Sequence, residues 1–111
     1  MNIIITHNKN YTVITLHGER IDAASAVTFR KDVCKQMTSF HKIIILDLAK
    51  VTFIDSSGLG ALVAAFKQLP SDGKLLICGA GQNVLHLLRL TRMDSIFALY
   101  PDVDSAMDTL R

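Results

Sequence analysis

Residues 42–69 open with Lys42-Ile43-Ile44-Ile45-Leu46-Asp47-Leu48, pass through a connection over Ala49–Asp55, and continue as Ser56-Ser57-Gly58-Leu59-Gly60-Ala61-Leu62-Val63-Ala64-Ala65-Phe66-Lys67-Gln68-Leu69. The isoleucine run has no polar alternation, the pattern of a strand covered on both faces. The glycine- and alanine-rich run after it reads as a helix over Gly58–Leu69. Pro70-Ser71-Asp72-Gly73 then stops it. A doubly covered strand that feeds directly into a helix is the unit of a parallel α/β sheet.

The same alternation continues outward in both directions. Toward the N-terminus, Ile3–His7 and Tyr11–His17 read as the two strands of a hairpin around Asn8-Lys9-Asn10, and Gly18 breaks the second. Asp22 is placed to cap a helix. Ala26, Phe29, Val33, Met37 and Phe40 follow at spacings of three and four, which makes one apolar stripe. Toward the C-terminus, Lys74–Cys78 reads as a short strand and Gln82–Thr91 as a helix. Ser95–Ala98 reads as an edge strand. Pro101 and Asp102 open a last helix with Val103, Ala106, Met107 and Leu110 on one side. The expected fold is one α/β domain over 1–111. Its sheet is mixed, four- to five-stranded, an N-terminal hairpin plus largely parallel strands, with about four helices.

Composition excludes several function classes. Half of the 111 residues are apolar and 20% are charged, so the chain has the balance of a folded domain and not of a disordered one. The formal net charge is only +2, spread along the chain, and aromatics are 6% with no Trp. That leaves neither a basic arm nor a stacking platform for nucleic acid. No apolar run reaches the ~18–20 residues that a spanning helix needs, so no membrane insertion is expected. Cys34 and Cys78 sit alone in apolar segments, as small hydrophobes suited to a reducing compartment, and a cytoplasmic location is expected.

The densest polar signal is Asp55-Ser56-Ser57-Gly58, between the strand and its helix. A helix start leaves unpaired N–H groups that Asp and Ser side chains satisfy, so simple capping accounts for part of it. Two hydroxyls at the C-terminal end of a strand also lie on the usual ligand side of an α/β sheet. A phosphate there would be tolerated by the helix dipole, yet would add ~1.5–2 negative charges beside Asp55. Gly58 and Gly60 cost helix stability, so close approach by a partner is expected there. A second cluster, Gly18-Glu19-Arg20-Ile21-Asp22, would bring Asp22 to the same edge as Asp55. No third acidic ligand and no nucleophile–base pair accompanies them, so neither a metal nor a cofactor is expected. Gly79-Ala80-Gly81-Gln82-Asn83-Val84 lacks the third glycine of a dinucleotide loop and reads as a plain turn. Leu85 exceeds what one buried helix face needs, and is a candidate contact residue unless it packs on the last helix.

Phe53-Ile54-Asp55-Ser56-Ser57-Gly58-Leu59-Gly60 resembles the signature of the STAS domain, anti-sigma factor antagonist type. Ile43–Leu48 is similar to that family's central strand, Gly18–Asp22 to its glycine-to-aspartate segment, and Leu76–Gly79 to its fourth strand. The resemblance implies phosphorylation at Ser56, with Ser57 as the alternative acceptor. It implies that Asp22 and Asp55 flank that site. Taken with the residue-level readings above, the expected partner-contact residues are Asp22, Asp55, Ser57, Gly58, Leu59, Gly60 and Leu85. The implied partner is an anti-sigma factor, often a serine kinase with a histidine-kinase-like ATP fold. Phosphorylation breaks the complex, and a metal-dependent serine phosphatase resets it.

The reading of the sequence is therefore a non-enzymatic, phosphorylatable antagonist in a partner-switching pathway, expected as a monomer. One rival is a non-switching STAS scaffold subunit of a larger assembly for lipid transport or stress signalling. The other is a small enzyme or nucleotide binder, which the missing catalytic set disfavours.

Overall fold

The computed structural model describes residues 2–37 and 42–111. Seven strands and four helices alternate along it: β1 Asn2–His7, β2 Thr12–His17, β3 Arg20–Ile21, α1 Ala26–Met37, β4 Ile43–Asp47, β5 Phe53–Ile54, α2 Ser56–Lys67, β6 Lys74–Cys78, α3 Gln82–Leu90, β7 Ala98–Tyr100 and α4 Val103–Asp108. Five strands form the main sheet in the order β1-β2-β4-β6-β7. β1 and β2 are antiparallel, and every other neighbouring pair in that sheet is parallel.

Alternate residues of each strand serve opposite faces. Ile14, Leu16, Ile44, Leu46, Leu75 and Ile77 turn to one side, where Phe29 and Val33 of α1, Leu62 and Ala65 of α2, and Val84 and Leu88 of α3 close over them. Tyr11, Ile45, Leu76 and Cys78 turn to the other, against Ala106 of α4. The unbroken isoleucine run follows from this, because β4 lies mid-sheet with apolar layers on both faces. Within the stripe expected for α1, Ala26, Phe29 and Val33 are buried. Phe40 and the side chain of Met37 lie outside what is described.

Several boundaries differ from expectation, each for a local reason. The first helix begins at Ala26 and not directly after Asp22. The Asp22 carboxylate instead accepts from the Ala24 and Ser25 amides, which shapes a separate turn ahead of the helix. α2 starts two residues before Gly58, at Ser56, because Asp55 caps it. The connection over Ala49–Asp55 is not all loop. Phe53 and Ile54 pair in parallel with Arg20 and Ile21 as a second, two-stranded sheet. The expected edge strand Ser95–Ala98 is displaced to Ala98–Tyr100. Met93–Ser95 is a tight 3-10 turn, with the amides of Ile96 and Phe97 bonded back to the Met93 carbonyl. Phe97 plugs the core and meets the Phe66 ring edge to face at 5.6 Å.

Candidate functional site

The two-stranded sheet sets the site. Ile21 and Ile54 are its buried pair, so the residues that follow them, Asp22 and Asp55, emerge side by side. The Asp55 amide donates to the Ile21 carbonyl at 3.3 Å, and the Thr52 and Phe53 amides donate to the Glu19 carbonyl. One oxygen of the Asp55 carboxylate accepts from the Gly58 amide at 2.9 Å, capping α2. The other accepts from the Ala23 amide at 3.1 Å, across the gap between the two chain segments. Asp55 therefore ties the entrance of α2 to the turn that leads into α1. The sequence suggested that the two aspartates share an edge, and the geometry brings them together.

Asp22 is held from its own side. One carboxylate oxygen accepts from the Ala24 and Ser25 amides and from the Ser25 hydroxyl at 3.2 Å. The other meets the Arg20 guanidinium at 3.1 Å. That guanidinium is the largest influence; with the Ser25 and Ala24 groups it outweighs burial, which pushes the other way, and holds the Asp22 carboxyl below the ordinary carboxylate value. Arg20 also lies over the Phe53 ring, 4.1 Å from its centroid. This cation–π pair leaves Phe53 39% exposed at the margin of the site.

Ser56 and Ser57 occupy the first turn of α2, and both are exposed. The Ser56 hydroxyl makes no hydrogen bond among the described residues, so it projects free from the edge that Asp55 borders. Ser57 instead lines a shallow groove of about 310 Å³ between α1 and α2, with Ala26, Val27, Arg30, Gly60 and Ala61. Val27 is 76% exposed on its rim.

The two glycines separate. Gly58 is buried, and a Cβ built on it would lie 2.0 Å from the Ile21 carbonyl oxygen. The close approach expected there is made by this chain's own β3, so a glycine at this position needs no partner. Gly60 is exposed, and a Cβ on it meets nothing within 4 Å. Nothing inside the fold asks for glycine there. Leu59 is half-buried and packs on the main core. Leu85 stands apart from this edge, lining a different depression on α3 with Gln82, Asn83, His86 and Arg89. It does not pack on the last helix, because α4 covers the opposite face of the sheet.

Sequence reading passed over Val27, Arg30 and Phe53. Val27 had a signal, since it is an apolar residue one step off the buried stripe of α1. Phe53 opens the signature stretch Phe53–Gly60 but reads as part of the connection over Ala49–Asp55, and its place at the margin of the site follows only from the two-residue β5.

The profile of the STAS domain family matches residues 2–106. The chain is 26% identical over 112 residues to an anti-sigma F factor antagonist of Paenibacillus polymyxa, covering 99% of this chain and 95% of that protein. Its fold is similar to the crystal structure of an anti-sigma factor antagonist from Mycobacterium paratuberculosis, with a TM-score of 0.88 at 23% identity over 97% of this chain and 92% of that one. It also resembles the phosphorylated form of the Bacillus cell fate determinant SpoIIAA, with a TM-score of 0.74 at 17% identity over 99% and 100% of the two chains.

Proposed function

Because the chain belongs to the STAS domain family, we propose that it is an anti-sigma factor antagonist controlled by phosphorylation of Ser56. The observation that carries this reading is the exposed, unbonded Ser56 hydroxyl on an edge already lined by Asp55 and Asp22. The relative in Paenibacillus polymyxa is named an anti-sigma F factor antagonist, and a structural neighbour is a phosphorylated form. In the unmodified state the edge offers a partner two carboxylates, two hydroxyls and the bare backbone at Gly60. Phosphorylation adds ~1.5–2 negative charges at the first turn of α2. The helix itself tolerates them, since anions at an N-terminus gain ~0.3–1 kcal/mol. The partner does not, because the dianion lies in a contact that binding would desolvate. Each ~1.4 kcal/mol lost there is tenfold in affinity.

The partner on this reading is an anti-sigma factor that is also the serine kinase, with a histidine-kinase-like ATP fold. A metal-dependent serine phosphatase returns the chain to its binding state. On this reading the chain acts by binding, and both site carboxylates are engaged by backbone amides. Calorimetric titration of the anti-sigma factor into the wild type, Ser56→Ala and the enzymatically phosphorylated chain tests this. The first two bind with similar affinity and the third at least about tenfold more weakly. Equal binding by all three would support the non-switching scaffold instead.

A further inference from the structure

We propose that β1 is a self-association edge, through which two copies of this chain join their sheets across a two-fold axis centred on Ile4. This rests on the fold alone and not on the phosphorylation reading. β1 ends the main sheet. It runs for six residues, Asn-Ile-Ile-Ile-Thr-His, with no Lys, Arg, Asp, Glu or Pro. Natural edge strands are protected by brevity, charge, proline or a bulge. β7, the opposite edge, has such protection, being three residues long and followed at once by Pro101. β1 has none of these devices, its pairing with β2 running without a bulge from Asn2↔His17 to His7↔Thr12.

The backbone selects the register. The Asn8 amide donates to the Tyr11 carbonyl at 2.8 Å. Antiparallel pairs alternate, so Thr6·Val13 and Ile4·Thr15 are the hydrogen-bonded pairs, and the N–H and C=O of Ile3 and Ile5 point out of the sheet. A second copy placed antiparallel with Ile4 opposite Ile4 brings Ile3 opposite Ile5 on both sides of the axis. The outward groups of Ile3 and Ile5 in each copy then find complementary groups in the other. The Ile4 side chains, 53% exposed in one copy, meet as a close non-bonded pair. A strand without formal charge sets no like charges against each other, so it is complementary to its own copy. Six residues span only ~20 Å. The contact is therefore smaller than the ~800 Å² per partner of a standard interface, and the dimer is weak and concentration-dependent.

Sedimentation velocity of the full chain from about 10 µM to about 1 mM tests this, a span in which a small contact saturates. The wild type and Ile4→Val shift toward twice the monomer mass as concentration rises. Ile4→Lys sets two like charges face to face and raises the dissociation constant at least about tenfold. Ile4→Glu, which also sets two like charges face to face, takes its place if melting shows the lysine variant unfolded. Amide exchange at Ile3 and Ile5 slows with concentration in the wild type and in Ile4→Val, and much less in Ile4→Lys. A wild type that stays monomeric at the highest concentration overturns the proposal. So does an Ile4→Lys chain that dimerises equally well, or exchange at Ile3 and Ile5 that ignores concentration.

Discussion

Replacing Gly58 by alanine separates an internal role for this glycine from a role in partner binding. The helix gains from the change, since alanine is favoured over glycine by ~1 kcal/mol in a helix interior. The packing loses more. The new Cβ would stand 2.0 Å from the Ile21 carbonyl oxygen, 2.8 Å from its carbon and 2.9 Å from the Ile21 Cγ2. The nearest of these is backbone, so no rotamer change relieves it. β3 and α2 must separate by more than an ångström. That movement strains the Asp55 amide bond to Ile21, worth ~0.5–1.5 kcal/mol, and adds overpacking of ~1–3 kcal/mol. The net loss is about 2 kcal/mol, which lowers the melting temperature by roughly 8 °C for a domain of this size. Gly60→Ala is the control, because its Cβ enters open space, and it leaves stability unchanged or raises it by up to ~1 kcal/mol. Thermal melts of the two variants by circular dichroism check this. A Gly58→Ala chain that melts at or above the wild-type temperature would refute the packing argument.

Gly60→Val, whose side chain stands in the α1/α2 groove beside Ser57, should weaken anti-sigma factor binding while the melting temperature moves little; unchanged affinity in titration would remove Gly60 from the interface. Asp55→Asn exchanges a carboxylate accepting two amides for a neutral group, costing ~1 kcal/mol in thermal melts, and it should slow Ser56 phosphorylation as well. Asp22→Asn should mainly change affinity, by several-fold, since the effect of an exposed charge is screened. For Asp22, a carboxyl held low by Arg20 stabilises the fold above the ordinary carboxylate value, and that contribution disappears as the pH falls through the lowered one. Arg20→Ala should therefore move the Asp22 titration upward in an NMR pH series, and an unmoved curve would argue against the ion pair. Burial, aided by the charges of Asp47 and Asp102, pushes the Cys78 thiol up to about 12, so it should resist alkylation at pH 8 until the chain is unfolded.

The sequence made the sheet legible where a single rule governed it. The Ile43–Leu46 run could satisfy only a doubly covered strand, and Asn8-Lys9-Asn10 could only reverse a hairpin. It failed where two rules competed. Phe53 and Ile54 are too few to show a period, so the two-stranded sheet that carries Asp22 and Asp55 looked like loop. Ser95–Phe97 has strand-like composition, but the 3-10 turn takes its backbone groups first. At the site, both aspartates and both serines could be read from the first turn of α2 and from Gly18–Asp22. The reason for Gly58 could not, because the atom that excludes a side chain belongs to Ile21, distant in sequence. Nor could Arg30 be found, since only the packing of α1 on α2 places it beside Ser57; Val27 had only its apolar character one step off the buried stripe to mark it.

The most direct measurement recovers the chain from its own cells in two fractions, free and bound to the anti-sigma factor, and maps phosphate on each by mass spectrometry. Phosphate on Ser56 in the free fraction, with Ser56 unmodified in the bound one, is the predicted result. Phosphate carried mainly by Ser57, or carried equally by Ser56 in both fractions, would rule out Ser56 as the switch.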